Sequence, residues 1–343
     1  MNLIPTFQER VSAFIQLGKR ISELDSEEKF SLFRKAENQN TWFTFLSLQS
    51  ALDGISFLIK EENLERWLSA YSFSKNTNPK KVGILMAGNI PGVGFHDLMS
   101  VLISGHVACI KLSSSDSVLM KWIIDQLISI NPKLEQLISV EEMLKNKDAY
   151  IATGSDNSAR YFEYYFGKYP HIIRANRTSV AVLTGKETEE ELSNLGDDIF
   201  QYFGLGCRNV SKLFVQNEEI LIRLLQALES RAEVASHHKY HNNYEYNKSI
   251  YLVNGDKHLD NGFLILKESQ ELVSPVGVLY FEKFTTLEDL KLKLTASSPR
   301  IQCVIGRDEL KIPGVISFGQ AQMPAPWDYA DGVDTLQFLL GLD

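Results

Sequence analysis

From residue 82 onward, short apolar runs alternate with amphipathic stretches, and this alternation constrains the fold more than any other feature of the sequence. Val82–Ala87, Val107–Leu112, Ala149–Ala152, His171–Arg174 and Val180–Leu183 are too short for helices and too apolar for loops. Helical segments separate most of them: Phe95–Ser104, Ser117–Ile130, a segment capped by Ser155 that runs to about Phe166, and Glu189–Phe203. Strands alternating with helices at this spacing predict an α/β fold built on mostly parallel sheets. The alternation restarts past Cys207, with strands expected at Lys212–Gln216, Ser249–Val253, Val276–Phe281, Gln302–Ile305 and Gly314–Phe318, and helices at Glu218–Ala232 and Leu287–Thr295.

The first 75 residues have a different pattern. Val11, Phe14, Ile15, Gly18 and Ile21 share one face of a 3.6-residue period. Asp25 with Glu28 resembles a capping box. Trp42–Ile59 and Leu64–Tyr71 are further helices, and polar Ser72–Lys81 is a linker or a solvent-side connection. The expected organisation is an N-terminal helical segment over 1–80, one α/β domain over 81–205, a second over 206–320 and a tail over 321–343. A chain of 343 residues accommodates two domains.

The net charge of -8 excludes a dominant nucleic-acid role, which needs a basic surface. The most apolar window, Val93–Leu112, is interrupted by His96, Asp97, His106 and Lys111, so no membrane span is expected. Cys109, Cys207 and Cys303 are too widely spaced for a zinc pair or a disulfide framework. With no signal-peptide profile at the start, a reducing, cytoplasmic setting is the expectation.

Several segments could carry chemistry. Gly88-Asn89-Ile90-Pro91-Gly92-Val93-Gly94 follows a strand, and its glycines let backbone N–H groups approach a ligand. An amide such as Asn89 just past a strand end can donate to a developing oxyanion, or simply serve the turn. Lys111 ends the next strand and is followed by Leu112-Ser113-Ser114. Thr153-Gly154-Ser155 opens a helix whose N-terminus can face a pyrophosphate, with Ser155 as N-cap. Cys207 lies between a helix and a strand beside Gly204 and Gly206, where an acyl group could approach a thiolate; Cys109 and Cys303 sit in apolar strands and read as buried structure. His237 and His241 would need a helix and a third ligand to hold a metal, so none is expected. Glu271 precedes a strand and could accept hydrogen bonds from a ribose. The ring cluster Tyr161, Phe162, Tyr164, Tyr165, Phe166 and Tyr169 reads as core and subunit contact.

The order of these segments resembles the aldehyde dehydrogenase superfamily, and within it the LuxC-type acyl-CoA reductases. The resemblance covers about residues 80–320 and rests on Asn89-Ile90-Pro91, Lys111-Leu112-Ser113-Ser114, Thr153-Gly154-Ser155, Gly204 to Cys207 with Lys212 and Val215, and Glu271 with Pro275 and Val276. It implies two α/β domains, dinucleotide-binding and catalytic, with the active site in the cleft between them. It implies Cys207 as nucleophile toward a thioester, and Asn89 with the Cys207 N–H as oxyanion hole. Lys111, Ser114, Thr153, Gly154 and Ser155 would contact the dinucleotide, and Glu271 the nicotinamide ribose.

Hydrolytic relatives carry a water-activating glutamate where this chain has Ile173-Arg174-Ala175-Asn176-Arg177. Without it, the resemblance implies reduction of acyl-CoA to aldehyde through an acyl-cysteine. Ser114 stands where NAD-preferring relatives often place a glutamate, which favours NADPH and leaves NAD open. An acyl-protein substrate and a partner acyl-protein synthetase fit the same reading. The N-terminal part is short for the superfamily, which leaves open both its usual oligomerisation arm and a homo-oligomer. The rivals are an NAD(P)-dependent aldehyde or semialdehyde dehydrogenase and a catalytically silent nucleotide-binding protein of the same fold.

Overall fold

The structure is a computed structural model that describes residues 4–73 and 78–342. The polar linker expected over 72–81 falls partly on residues 74–77, outside the described residues. The chain divides into two compact units: residues 1–176 with 324–343, and residues 177–323. The boundary expected near residue 205 falls inside the second unit. The reason is strand pairing: the strand at 178–183 joins the second sheet, not the first.

Unit 1 opens with four helices, α1 (Phe7–Ser22), α2 (Ser26–Gln39), α3 (Phe45–Leu58) and α4 (Glu61–Leu68). Thr6 and Glu9 form a reciprocal capping box on α1. Asp25 accepts the Glu28 N–H at 2.8 Å, but the box expected there is only half formed, because the Glu28 carboxylate pairs with Arg20 instead. Next come β1 (Lys81–Leu85), α5 (Phe95–Ser104), β2 (Val107–Lys111), α6 (Ser117–Ile130), β3 (Ile138–Val140), β4 (Ala149–Thr153), α7 (Asp156–Phe166) and β5 (His171–Arg174). The five strands are all parallel, in the order β3-β2-β1-β4-β5. This is the doubly wound order, in which strand succession reverses between β1 and β4 and leaves a crevice beyond their carboxyl ends.

One core holds the helical segment to this sheet, with Phe14, Leu17, Leu48, Trp67, Val82, Ile84, Phe95, Leu102, Ile110 and Ile123 buried together. The remaining face is covered more thinly, by Cys109, Leu144 and Tyr150 with Phe166 and Tyr169 against them. No residue of α7 is fully buried, and Tyr161, Tyr164 and Tyr165 are exposed. Core packing therefore holds for Phe166 and Tyr169 and fails for these three tyrosines, which the helix turns outward.

Unit 2 contains β6 (Thr178–Leu183), α8 (Glu189–Phe200), β7 (Val210–Val215), α9 (Glu219–Ala227), α10 (His238–Asn254), β8 (Leu259–Asp260), β9 (Ile265–Glu268), β10 (Val278–Lys283), α11 (Leu287–Ser297) and β11 (Ile301–Ile305). Its sheet runs β11-β6-β7-β10-β9-β8 and is parallel except for the antiparallel edge strand β8. Ser249–Val253, expected as a strand, belongs to α10. Tyr240, Tyr244, Asn247 and Tyr251 form its buried stripe, and Gly255 ends it in the left-handed conformation. Gly314–Phe318 makes only an isolated bridge, Ile316 to Ile305.

The tail then returns to unit 1. Its helix, α12 (Thr335–Leu340), buries Leu336 and Leu339 against α5. Trp67 Nε1 donates to the Tyr329 hydroxyl at 2.7 Å, Tyr71 donates to Asp334 at 2.7 Å, and His106 Nε2 donates to the Leu339 carbonyl at 2.9 Å. Burial holds the His106 imidazole below its ordinary pKa, so the ring is neutral and its Nδ1 accepts the Lys80 N–H.

Candidate active site

The loop after β1 is held by three constraints. A Cβ on Gly88 would lie 2.3 Å from Ser113 Oγ, so glycine is needed for this loop to abut the turn after β2. Gly92 has φ +71°, where other residues are strained. Its N–H donates to Asp116 Oδ2 at 2.8 Å. Asp116 occupies the N-cap position of α6 but does not cap it; Gln39 of α2 does so, accepting the Val118 N–H at 3.0 Å. Freed from that role, the Asp116 side chain anchors the glycine loop. Asn89 stands exposed on that loop.

Asp116 is 1% exposed, and its Oδ1 has no partner among the described residues. Burial pushes its carboxyl up to about 8, only partly countered by the Gly92 N–H. Because the folded pKa exceeds the unfolded one, the folded state binds this proton more tightly. Its contribution to stability is full below about pH 4 and is lost as pH rises to about 8. One such group changes stability by at most ~1.4 kcal/mol per pH unit. Asp116→Asn keeps an acceptor for Gly92 and does not titrate. The stability difference between wild type and variant, from urea melts, is therefore expected to shift toward the variant by about 3 kcal/mol between pH 5 and pH 8. Parallel pH profiles would refute the burial argument.

Lys111 and Ser114 are exposed at the carboxyl end of β2 and just after it. Thr153 ends β4, and Ser155 caps α7 by accepting the Ser158 N–H at 3.3 Å. A Cβ on Gly154 would lie 2.8 Å from Ser158 Cβ and 2.9 Å from the Phe162 ring, so this glycine lets α7 start close against β4. Unit 1 thus brings Asn89, Lys111, Ser114, Thr153, Gly154 and Ser155 to the carboxyl edge of β2, β1 and β4, with β1 and β4 flanking the reversal of strand order.

The stretch Ile173–Arg177 begins in β5 and holds a feature the sequence did not reveal. Arg174 is 4% exposed; its Nη1 donates to Asp97 Oδ2 at 2.8 Å and Oδ1 at 3.0 Å, and its Nη2 donates to Thr335 Oγ1 at 2.8 Å. A buried guanidinium–carboxylate pair fills this region and ties β5, α5 and the tail together.

Cys207, in unit 2, is half-buried, whereas Cys109 of unit 1 and Cys303 of unit 2 are buried; none is in a disulfide. Between α8 and Cys207 the chain makes a tight turn over Gln201–Gly204, in which Tyr202, Phe203 and Gly204 are left-handed, with φ of 52°, 58° and 77°. Two aromatic residues in succession at positive φ are costly, at ~1–3 kcal/mol each, and persist only where surroundings over-determine them. Asn209, 1% exposed, supplies much of that determination. Its Oδ1 accepts the Gly206 N–H at 2.8 Å, and its Nδ2 donates to the Asp198 and Gln201 carbonyls at 3.1 and 2.9 Å. Ser179 Oγ donates to the Cys207 carbonyl at 3.1 Å. Fully buried Asp198 accepts the Gly319 and Ala321 N–H groups, and burial raises its carboxyl to about 6. Glu271 is exposed after β9, with its N–H donating to Ser269 Oγ at 3.1 Å.

His237 is the N-cap of α10, accepting the Tyr240 N–H. No cluster of three metal-ligating side chains lies among the described residues, and no described helix is long and apolar enough to cross a membrane. An open concavity of about 640 Å³ between α7 and β5 is lined by none of the sequence-predicted site residues.

The sequence pattern of the family described as acyl-CoA reductase (LuxC) matches residues 19–272. The chain belongs to the LuxC acyl-CoA reductase family. A long-chain acyl-protein thioester reductase of Aliivibrio fischeri is 21% identical over 168 residues, a match taking in 44% of this chain and 35% of that protein. Among solved structures, aldehyde dehydrogenase 21 of Physcomitrella patens, in complex with the reaction product succinate, has a TM-score of 0.64 at 12% identity, covering 94% of this chain and 78% of its own. A Mycobacterium tuberculosis aldehyde dehydrogenase complexed with NAD+ also has a TM-score of 0.64, at 13% identity, covering 88% of this chain and 73% of its own. The LuxC-family chain therefore has the aldehyde-dehydrogenase-like fold.

Proposed function

We propose that this LuxC-family chain reduces a long-chain acyl thioester, acyl-CoA or acyl-protein, to the aldehyde, with NADPH as electron donor. The balanced reaction is acyl-CoA + NADPH + H+ giving aldehyde, coenzyme A and NADP+. The observation that carries it is the half-buried Cys207, three residues past a strained, cross-braced turn, in a chain whose family is named for acyl-CoA reduction.

The residues of unit 1 fit a dinucleotide. An exposed lysine, a helix N-terminus and a glycine-rich loop stand at a reversal of strand order, which is the donor set and place such a ligand requires. Lys111 would take the ribose, Thr153, Gly154 and Ser155 the pyrophosphate, and Glu271 the nicotinamide ribose. Exposed Ser114 presents no carboxylate to repel a 2′-phosphate. A reduced nicotinamide bound there would supply the hydride.

Cys207 would attack the thioester carbonyl, forming the S–C bond while the coenzyme A thiolate leaves and takes up a proton. Asn89 and the Cys207 N–H would donate to the oxyanion. After reduction, the hemithioacetal collapses by breaking the Cys207 S–C bond, which releases the aldehyde and regenerates the thiolate. Where hydrolytic relatives hold a water-activating glutamate, the stretch Ile173–Arg177 supplies no carboxylate of its own, and the neighbouring Asp97 carboxylate is occupied by Arg174, which would leave the acyl-enzyme without a base to divert it to free acid.

The test is direct. Purified protein is mixed with a long-chain acyl-CoA and NADPH, or NADH in parallel, and cofactor oxidation is followed with product analysis. Aldehyde, formed faster with NADPH, is expected. Free carboxylic acid as the sole product, or no cofactor oxidation with any thioester, would sink the reading.

A further inference from the structure

The pairing of β6 with β7 slips by one residue: Ser179 faces Val210, and Val180 faces Lys212, so Ser211 is extra on β7. Side chains normally alternate faces along a strand, but a bulge re-aims them and lets two successive residues serve one side. Here both reach the segment after β9. Ser211 Oγ donates to the Leu272 carbonyl at 2.9 Å, and Lys212 Nζ donates to the Gln270 carbonyl at 2.9 Å. These carbonyls belong to the residues on either side of Glu271. The Glu271 N–H is itself engaged by Ser269.

Three consecutive residues are thus fixed by hydrogen bonds, while the Glu271 side chain between the two clamps remains exposed. The clamps are rigid in turn. Lys212 is 2% exposed, and its ammonium pairs with Glu282, which Lys293 also reaches at 2.6 Å. Ser211 Oγ is bonded to Thr178 Oγ1 at 2.7 Å. Such bracing is more than a surface loop needs for its own folding, and it suits an exposed carboxylate that must meet a ligand in one place.

We propose that Ser211 and Lys212, aimed together by the bulge in β7, are positioning residues for Glu271. The strand that leaves the Cys207 loop thereby also sets where the ribose-binding carboxylate stands. This rests on the reading of Glu271 as the ligand of the nicotinamide ribose, and it adds what fixes that ligand.

The experiment is equilibrium binding to the full chain without thioester. NADPH, read by its own fluorescence, is compared with adenosine 2′,5′-bisphosphate, which lacks the nicotinamide ribose. The variants are Ser211→Ala, Ser211→Thr, Glu271→Gln and the Ser211→Ala/Glu271→Gln pair. Loss of one buried clamp is expected to raise the NADPH Kd about 3- to 10-fold, the range of a single hydrogen bond. Bisphosphate binding should be unchanged, Ser211→Thr should restore most of the loss, and Ser211→Ala should add nothing when combined with Glu271→Gln.

A Ser211→Ala penalty that is equally large in the Glu271→Gln background, or that extends to the bisphosphate, would show a general structural role and overturn the proposal. So would an unchanged NADPH Kd in Ser211→Ala beside a raised one in Glu271→Gln. If Glu271→Gln alone has no effect, or wild type binds no NADPH, the underlying reading fails and the positioning role falls with it.

Discussion

Replacing Cys207 with alanine is expected to abolish acyl-enzyme formation and to lower thioester reduction by about 10³-fold or more. Of the three thiols, only Cys207 is half-buried, whereas Cys109 is 2% and Cys303 5% exposed inside their strands. Exposed Gly204 stands three residues before Cys207 and presents no side chain on that side. Held by Ser179 on its carbonyl and by Asn209 two residues on, this cysteine is fixed relative to its own sheet, as a nucleophile must be. The measurement is intact mass after exposure to long-chain acyl-CoA without cofactor. Wild type, Cys109→Ala and Cys303→Ala should each gain one acyl group, and Cys207→Ala none. An adduct that survives in Cys207→Ala would end the covalent proposal, even if the protein proved to be a reductase.

What the sequence reveals and what it hides divide along a physical line. Phe95–Ser104 and Ser117–Ile130 were legible to the residue because local signals agree: an apolar 3.6-residue period, and for the first a glycine in the left-handed conformation at its end. Ser155 was legible as a cap because capping is decided within four residues. Ser249–Val253 misled because Ile250, Tyr251, Leu252 and Val253 are a strand-like run. The helix is fixed instead by Tyr240, Tyr244, Asn247 and Tyr251 packing along one face, a pattern that spans residues before the run itself.

The site shows the same division. Residues that a motif singles out, such as Asn89, Lys111, Cys207 and Glu271, are candidates from the sequence alone, and their roles are proposals. Those that brace them cannot be singled out this way. Asp116 resembles any helix cap until Gln39 is found doing its work, 79 residues before the Val118 N–H that it accepts. Arg174 resembles a surface arginine until Asp97 and Thr335 are found around it, 77 and 161 residues off. Such partners are chosen by tertiary structure, and one sequence carries no local trace of them.

Asn209 gives this bracing its strongest test. Asn209→Ala is expected to destabilise the protein by about 3–5 kcal/mol, because it strands a buried N–H on Gly206 and removes a donor from the carbonyls that end α8, beside two aromatic residues already at positive φ. Asn209→Asp separates the two halves of the amide. It retains an oxygen for the Gly206 N–H but places the other carboxyl oxygen against the Asp198 and Gln201 carbonyls. Ionised, that oxygen faces acceptors and is repelled; protonated, it can donate to one of them. Burial and those acceptors would both raise the folded-state pKa of the new carboxyl above its unfolded value. The variant's stability relative to wild type should therefore be lowest near pH 8 and recover as pH falls toward 5, where Asn209→Ala recovers nothing. Urea melts of both variants at pH 5 and pH 8 separate the cases. An Asn209→Ala protein within about 1 kcal/mol of wild type would mean that the turn before Cys207 holds its conformation without this amide.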